Sequence, residues 1–216
     1  MRKYDYVLFD LDGTLTDPGE GITNSVMYAL EKFGIKVDDR KKLYPFIGPP
    51  LHEAFETFFG FSHTDAARAV DYYREYYRER GVYENKLYDG IPELLASLKE
   101  GGLKILLATS KPEYFAGVVL RHFKIDSYFD FVGGSNLDGS RTKKAEVIEY
   151  TLASASVADR RRAIMVGDRE HDINGARLTG LHVAAVTYGY GSREELAEAD
   201  YIVDNLTELK KILLSD

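Results

Sequence analysis

The chain has 216 residues, of which 44% are hydrophobic and 29% are charged, and its formal net charge is −7. This composition is typical of a globular protein of one or two domains, and the acidic balance argues against nucleic acid or a membrane surface as a partner. The absence of cysteine excludes disulfides and cysteine-based sites. Because no apolar run reaches the roughly 20 residues that span a bilayer and no signal-peptide core opens the chain, we predict a cytoplasmic protein.

The first predicted element is a strand over residues 6–9, an apolar run of the kind that is buried on both faces of a sheet. Asp10 and Asp12 follow it, and Gly13 then allows a sharp turn. Side chains two residues apart on a strand share a face, so these carboxylates should lie close together. Two like charges at that distance favour a cation between them, and oxygen ligands suit Mg²⁺. The alternative is an acidic turn in which Asp12 caps a helix.

Residues 17–84 have helical rather than strand periodicity, and we predict three helices there. The first ends at Gly34, the second at Gly60, and the third begins at a Thr64 cap and ends at Gly81. A helical segment of this length indicates a small domain that is inserted into the rest of the chain.

Strands and helices alternate regularly after about residue 88. Predicted strands cover 104–109, 129–132, 163–166, 182–187 and 201–203, and predicted helices cover 91–99, 112–123, 143–155, 172–179 and 206–214. Such alternation implies right-handed crossovers and a parallel sheet with helices on both faces. We therefore predict an α/β fold: a doubly wound, Rossmann-like sheet domain of residues 1–16 and 85–216, interrupted by a helical domain of residues 17–84.

Polar residues collect at the carboxyl ends of three predicted strands, where ligands bind in open parallel sheets. These residues are Asp10, Asp12, Thr109, Ser110, Lys111, Asp168 and Asp172. Thr109 offers a hydroxyl, and the peptide N–H groups after it can face an oxyanion. Each group alone could be a cap or a turn, and Asp172 also suits a helix N-terminus electrostatically. A lysine is still needed to neutralise a phosphate, and composition leaves both Lys143 and Lys144 open.

The order and spacing of these groups resemble the four motifs of the haloacid dehalogenase-like (HAD) hydrolase superfamily. Asp10-x-Asp12-Gly-Thr is similar to the first motif, Thr109 to the second, a lysine at a helix start to the third, and Gly167-Asp168-x-x-x-Asp172 to the fourth. Residues 139–148 resemble the phosphoglycolate phosphatase-like branch, in which Lys144 is the better fit and Lys143 the runner-up. The inserted helices resemble a C1-type cap.

The resemblance implies Mg²⁺-dependent hydrolysis of a small phosphorylated metabolite, by a monomer or homodimer. Asp10 would attack phosphorus and form an aspartyl-phosphate, and Asp12 would act as the acid and base. Lys144 and the donors around Thr109 and Ser110 would offset the phosphate charge. Asp10, the carbonyl of Asp12 and Asp168 would hold the metal, while Asp172 would orient Lys144 or a metal-bound water.

The substrate stays open among phosphoglycolate, pyrophosphate, a 5′-nucleotide and small sugar phosphates. Asp12 argues against a haloacid dehalogenase, whereas a sugar phosphomutase would keep that residue; a metal-dependent binding module is disfavoured by the complete set of motifs. Substrate-binding candidates are Asn24, Gly48 and Pro49 in the cap and Arg141 in the core. Arg141 could pair with a second anionic group of the substrate, or it could be an exposed loop arginine.

Overall fold

The computed structural model describes residues 2–215, and these form two compact units. One unit comprises the chain up to Thr16 together with the chain from Leu87 onwards, and the other comprises Asp17–Lys86. The observed junction therefore lies two residues beyond the boundary expected between residues 84 and 85. No helix within residues 2–215 is long and apolar enough to cross a membrane.

Strands and helices are numbered along the chain. The strands are β1 (Tyr6–Phe9), β2 (Thr16–Asp17), β3 (Lys86–Leu87), β4 (Lys104–Pro112), β5 (Phe131–Ser135), β6 (Ala163–Gly167), β7 (His182–Val186) and β8 (Tyr201–Val203). The α-helices are α1 (Gly19–Glu31), α2 (Leu51–Phe59), α3 (His63–Tyr76), α4 (Ile91–Glu100), α5 (Glu113–His122), α6 (Lys144–Ser154), α7 (Glu170–Thr179) and α8 (Leu206–Leu213).

The first unit is built on a six-stranded sheet in the order β5-β4-β1-β6-β7-β8, and every neighbouring pair is parallel. The short strands β2 and β3 form a separate two-stranded sheet. Central β1 buries its apolar side chains: Leu8 packs with Leu106 and Met165 of the adjacent strands and with Ile148 of α6 and Ile173 of α7. Burying such a side chain contributes about 1.5–3 kcal/mol. The predicted doubly wound α/β fold is confirmed.

The second predicted strand is longer and less regular than its apolar run suggested. Ala108 of β4 pairs with Gly133 of β5 and Pro112 pairs with Ser135, so three β4 residues lie opposite the single residue Gly134. A bulge of this kind releases backbone groups from the ladder and re-aims side chains. Thr109 is the first of the three bulged residues, within the strand rather than at its end.

Other boundaries differ by a few residues for local reasons. Residues 126–128 form a 3₁₀ turn, so β5 begins at Phe131 instead of residue 129. Helix α3 is capped by Ser62, whose hydroxyl accepts a hydrogen bond from the backbone N–H of Asp65 at 3.1 Å, and the predicted cap at Thr64 is therefore wrong. The segment Tyr77–Gly81 continues α3 as a π-helical turn.

The second unit is helical, with a core formed by α1, α2, α3 and a 3₁₀ segment over Arg40–Phe46. Phe46 from that segment packs edge-on against Phe55 of α2, with ring centroids 5.0 Å apart, and both rings are buried. Aromatic pairs at this distance contribute beyond simple area burial. These contacts give the inserted segment an apolar core of its own.

Candidate active site

Strand β1 carries Asp10 and Asp12 just beyond its carboxyl end. The backbone N–H of Asp10 donates to the Val166 carbonyl at 2.9 Å, which extends the pairing with β6 past the strand. Both aspartates are buried, with 5% and 8% of their surface exposed. Gly13 follows with φ +86°, and a Cβ atom there would come within 2.2 Å of Asp168 Oδ2. The turn therefore requires glycine both for its backbone conformation and for the close approach of a carboxylate.

A buried ammonium group lies between two of the predicted site carboxylates. Lys144 Nζ is 2.9 Å from Asp10 Oδ1 and 2.8 Å from Asp172 Oδ1, and it donates to the Ala108 carbonyl at 3.1 Å. Burial acts to lower the pKa of Lys144, but the charges of Asp10 and Asp172 outweigh it and raise the pKa. Lys143 is exposed at the start of α6. The geometry therefore favours Lys144 as the cation of the site.

Asp172 lies in the first turn of α7, where it braces both the lysine and the preceding loop. Its Oδ2 atom accepts hydrogen bonds from the backbone N–H groups of Asp168 and Arg169, both at 3.1 Å. Burial raises the pKa of Asp172, the Lys144 charge opposes that rise, and the Asp10 charge adds to it. Asp172 therefore has both predicted roles: its Oδ1 atom orients Lys144, and its Oδ2 atom caps the start of the helix.

Asp168 is completely buried at the end of β6. Its carboxylate accepts hydrogen bonds from Thr14 Oγ1 at 3.1 Å and from the Tyr190 N–H at 2.8 Å. Burial and the negative charges of Asp172 and Asp10 raise the pKa of Asp168 well above its usual range, against the influence of these hydrogen bonds. A Cβ atom at Gly189 would lie 2.4 Å from Asp168 Cβ, so no larger residue fits beside it.

Three of these carboxylates form a cluster that can hold a metal ion. One oxygen from each of Asp10, Asp168 and Asp172 lies within 4.8 Å of the other two, and all three residues are buried. Asp172 is already engaged through both oxygens, by Lys144 and by two backbone N–H groups. Asp168 also accepts a hydrogen bond on each oxygen, but both come from neutral donors, Thr14 Oγ1 and the Tyr190 N–H, whereas Asp172 pairs with the Lys144 ammonium. Burial and then the charges of Asp172 and Asp10 raise the pKa of Asp168, and a divalent cation with oxygen ligands would stabilise its charged form.

Asp12 pairs with Lys111, for which the sequence patterns predicted no role. Lys111 Nζ is 2.5 Å from Asp12 Oδ2, and both side chains are almost fully buried. The other oxygen, Asp12 Oδ1, is buried and has no hydrogen-bond partner among residues 2–215. Burial raises the pKa of Asp12, and the Lys111 charge offsets this only in part. A carboxyl group of this kind is suited to carry a proton.

Thr109 and Ser110 lie in the bulge of β4. Thr109 is 1% exposed, and its hydroxyl accepts a hydrogen bond from the Lys111 N–H at 3.3 Å. The Ser110 carbonyl accepts one from the Ser135 hydroxyl at 2.8 Å. The bulge thus fixes the segment that also supplies Lys111. Its position two residues after Thr109 was the only feature of the sequence that pointed to Lys111.

Arg141 is engaged within the first unit. Its guanidinium donates to the Gly134 carbonyl, to Asn136 Oδ1 and to Glu113 Oε2 at 2.8, 2.9 and 3.3 Å, and lies 3.6 Å from the centroid of the Tyr150 ring. Its side chain is 20% exposed. A substrate anion would therefore have to displace or join these partners, and the substrate-binding role of Arg141 stays a prediction.

The other three predicted substrate residues belong to the second unit. Asn24 on α1 donates from Nδ2 to Glu84 Oε2 at 2.8 Å, and its Oδ1 accepts from Arg40 Nη2 at 2.8 Å. Gly48 has φ +111° in the loop before α2, which also contains Pro49. Both polar ends of Asn24 have partners, and the role of these residues in substrate binding likewise stays a prediction.

The chain is similar to proteins of known family. A family model described as haloacid dehalogenase-like hydrolase matches residues 7–186. A 5′-nucleotidase from Pseudomonas aeruginosa is 46% identical over 215 residues, covering 99% of this chain and 97% of that protein. A pyrophosphatase from Bacillus mycoides is 31% identical over 218 residues, covering 98% and 97%. The crystal structure of a predicted phosphatase from Clostridium acetobutylicum has a TM-score of 0.95 and 50% identity, covering 98% of both chains.

Proposed function

The chain belongs to the haloacid dehalogenase-like hydrolase family and is a phosphatase, and from this premise we propose that it is Mg²⁺-dependent and hydrolyses small phosphate monoesters through an aspartyl-phosphate. The observation that carries the proposal is the buried Lys144 ammonium, which lies within 3 Å of both Asp10 and Asp172 at the carboxyl end of the sheet. That cluster combines a carboxylate nucleophile with fixed positive charge, as attack on a phosphate anion requires.

In the first step, an oxygen of Asp10 attacks phosphorus and the bond between phosphorus and the ester oxygen breaks. Lys144 faces Asp10 and offsets the negative charge that the phosphoryl group brings into the site. Mg²⁺ held by Asp10, Asp168 and the carbonyl of Asp12 would supply further positive charge at the phosphate. Asp172 keeps Lys144 in position because its second oxygen is anchored by backbone N–H groups.

Asp12 transfers protons in both steps. Its raised pKa allows it to hold a proton, which it donates to the departing ester oxygen. The resulting carboxylate then removes a proton from the water that attacks the aspartyl-phosphate, and phosphate is released with Asp10 regenerated. Lys111 stays paired with Asp12 and keeps the carboxyl group oriented between the two steps. Thr109 and the peptide N–H groups of the bulge supply hydrogen bonds to phosphate oxygens.

The helical unit acts as a cap that excludes bulk water during the first step and admits product release afterwards. We propose that residues of this unit distinguish leaving groups, with Asn24, Gly48 and Pro49 as candidates; Arg141 is a separate candidate in the first unit. The phosphoryl-handling residues cannot discriminate, since every candidate substrate shares the phosphoryl group.

We assign 5′-nucleoside monophosphates as the first substrate class to test, because the relative that is 46% identical over nearly the whole chain is named a 5′-nucleotidase. Pyrophosphate is the second class, on the name of the relative at 31% identity. Phosphoglycolate and small sugar phosphates complete the panel. A sugar phosphomutase is the alternative of different reaction type, and it would return an isomerised sugar phosphate in place of free phosphate.

The decisive experiment measures phosphate release from this panel with and without Mg²⁺, using the wild type and Asp10→Asn. The substitution is nearly isosteric at a strand end, so we expect an intact fold and a loss of turnover of about 10⁴-fold or more. Wild-type protein quenched with acid during turnover should carry phosphate on Asp10. Near-normal activity of Asp10→Asn, or activity that is indifferent to a chelator, would overturn the mechanism.

A further inference from the structure

A second group of metal-ligating side chains lies in the helical unit, where no reaction chemistry has been assigned. His52 and Glu56 are one turn apart on α2, and His63 is the first residue of α3. His52 and His63 are two of the five histidines of the chain. One ligand atom from each of the three residues lies within 4.8 Å of the other two. The turn between α2 and α3 therefore brings two imidazoles and one carboxylate together.

The spacing of these atoms suits a single ion. Glu56 Oε1 is 3.2 Å from His63 Nδ1 and 3.6 Å from His52 Nδ1, and the two imidazole centroids are 4.3 Å apart. Tetrahedral Zn²⁺ with bonds of about 2.0–2.1 Å separates its ligand atoms by about 3.3 Å. The two distances from Glu56 Oε1 to the imidazole nitrogens lie on either side of this value.

The orientation of the His52 ring is set by its other ring nitrogen. His52 Nε2 lies 3.1 Å from the His63 carbonyl oxygen. A carbonyl can only accept a hydrogen bond, so this contact leaves Nδ1, on the Glu56 side of the ring, as the nitrogen available to a metal. Metal-binding histidines characteristically donate their second ring N–H to a carbonyl or carboxylate in this way. The contact thus holds the ring with Nδ1 facing Glu56.

We propose that His52, Glu56 and His63 form a metal site for a borderline divalent cation such as Zn²⁺, separate from the acidic cluster of the first unit. Two imidazoles and one carboxylate match the donor set that binds Zn²⁺, whereas Mg²⁺ prefers oxygen ligands alone. The His63 side chain is 88% exposed, so water completes the coordination. The bound ion ties α2 to the start of α3.

Calorimetric titration of the full chain with Zn²⁺, in the presence of millimolar Mg²⁺, tests the proposal. We expect one saturable Zn²⁺ equivalent that persists in Asp168→Asn, which disables the acidic cluster. His52→Ala and His63→Ala should each weaken this equivalent by at least about tenfold, since even indirect partners of a metal site contribute that much. The control is His122→Ala, an exposed histidine on α5, which should bind as the wild type does. Equal binding by wild type and His52→Ala, or no equivalent surviving Asp168→Asn, would overturn the site.

Nuclear magnetic resonance of the histidine ring nitrogens gives a second readout that needs no variant. Added Zn²⁺ should shift the Nδ1 signals of His52 and His63 but not those of His122. Ring signals of His52 and His63 that do not respond to Zn²⁺ would contradict the proposal. The two measurements are independent of phosphatase activity.

Discussion

The charged cluster of the first unit and the hydrogen bonds around Glu84 in the second unit differ in how deeply their side chains are buried. In the first unit, Asp10, Lys144, Asp168 and Asp172 are each less than 7% exposed, and charge faces charge. In the second unit, half-buried Glu84 accepts hydrogen bonds from the Asn24 amide at 2.8 Å and from the Tyr76 hydroxyl at 2.9 Å.

This difference determines how strongly neighbouring residues depend on one another. A buried charge is tolerated only while its partner is present, because water cannot replace the partner. A half-buried hydrogen bond can be exchanged for one to water at little cost. The charged side chains of the first-unit cluster are therefore tied to each other, whereas those around Glu84 can change singly.

Lys144→Met should have the largest effect, on activity and on stability together. Removing the ammonium leaves Asp10 and Asp172 buried without their counter-charge, which costs about 3–5 kcal/mol. Activity towards nitrophenyl phosphate should be almost completely lost. Steady-state phosphate release measures the loss of activity. Amide hydrogen exchange measures the loss of stability, for each unit separately.

The matched control for that change is Lys143→Ala, next to it in the chain and exposed at the start of α6. It should keep most of the activity and almost all of the stability. A larger loss in Lys143→Ala than in Lys144→Met would transfer the phosphate-binding role to Lys143. Asp172→Asn combined with Lys144→Met should restore part of the lost stability, because one unpaired charge is removed.

Asp12→Asn should come next, with a loss of about 10²–10⁴-fold in turnover of alkyl phosphates, the range of a well-oriented proton donor. The asparagine can still accept a hydrogen bond from Lys111, but it removes the counter-charge of that buried ammonium, so we expect a folded protein of lower stability. The loss should shrink for nitrophenyl phosphate, whose leaving group needs less protonation. Comparing the rate constants of the two substrate classes gives the test, and an equal loss for both would argue against an acid role in the first step.

The sequence alone was enough to predict the α/β fold and most residues of the charged cluster in the first unit. An unbroken apolar run predicts a central strand, and the ends of parallel strands meet at one edge, so Asp10 and Asp168 could be brought together without coordinates. The choice between Lys143 and Lys144 depends on where α6 begins. Local capping can shift that boundary by one residue. The choice between the two lysines therefore required either a family resemblance or the structure.

Lys111 and the cap of α3 were missed for physical reasons. The bulge that turns Lys111 towards Asp12 arises from the pairing of β4 with β5, and no local pattern in residues 108–112 encodes it. Ser62 and Thr64 both offer a hydroxyl near the start of α3, and the backbone conformation of Ser62 makes it the cap. The partners of Arg141 come from three separate segments, which sequence patterns cannot bring together.

Arg141→Ala should have a smaller and more selective effect. If the guanidinium contacts a second anionic group of the substrate, the ranking of substrates should change by about tenfold, the value of one hydrogen bond to a charged group, while nitrophenyl phosphate turnover stays near that of wild type. Comparing kcat/KM across the substrate panel measures this. Glu113→Gln is the control, because it removes one partner of Arg141 but keeps the guanidinium. A uniform drop across the panel, or no change, would leave Arg141 with only its contacts inside the first unit.

The smallest effects should come from the pair of side chains that share Glu84. Asn24→Ala and Tyr76→Phe each remove one hydrogen bond to that carboxylate, and each should lower the free energy of unfolding of the second unit by about 0.5–1.5 kcal/mol. Because all three residues are half-buried, water can reach Glu84 after either change. The double variant should therefore be nearly additive, with a coupling of about 0.5 kcal/mol or less, at the bottom of the range for residues in one network.

The corresponding cycle in the first unit, Lys144→Met with Asp172→Asn, should give a coupling of about 2–3 kcal/mol, at the top of that range. Hydrogen exchange of α1 and β6 amides reports each cycle in its own unit. Equal couplings in the two cycles would mean that Glu84 is as dependent on its partners as the buried charges are. Asn24 would then be held as rigidly as Lys144, and substitution there could not adjust substrate preference without first destabilising the helical unit.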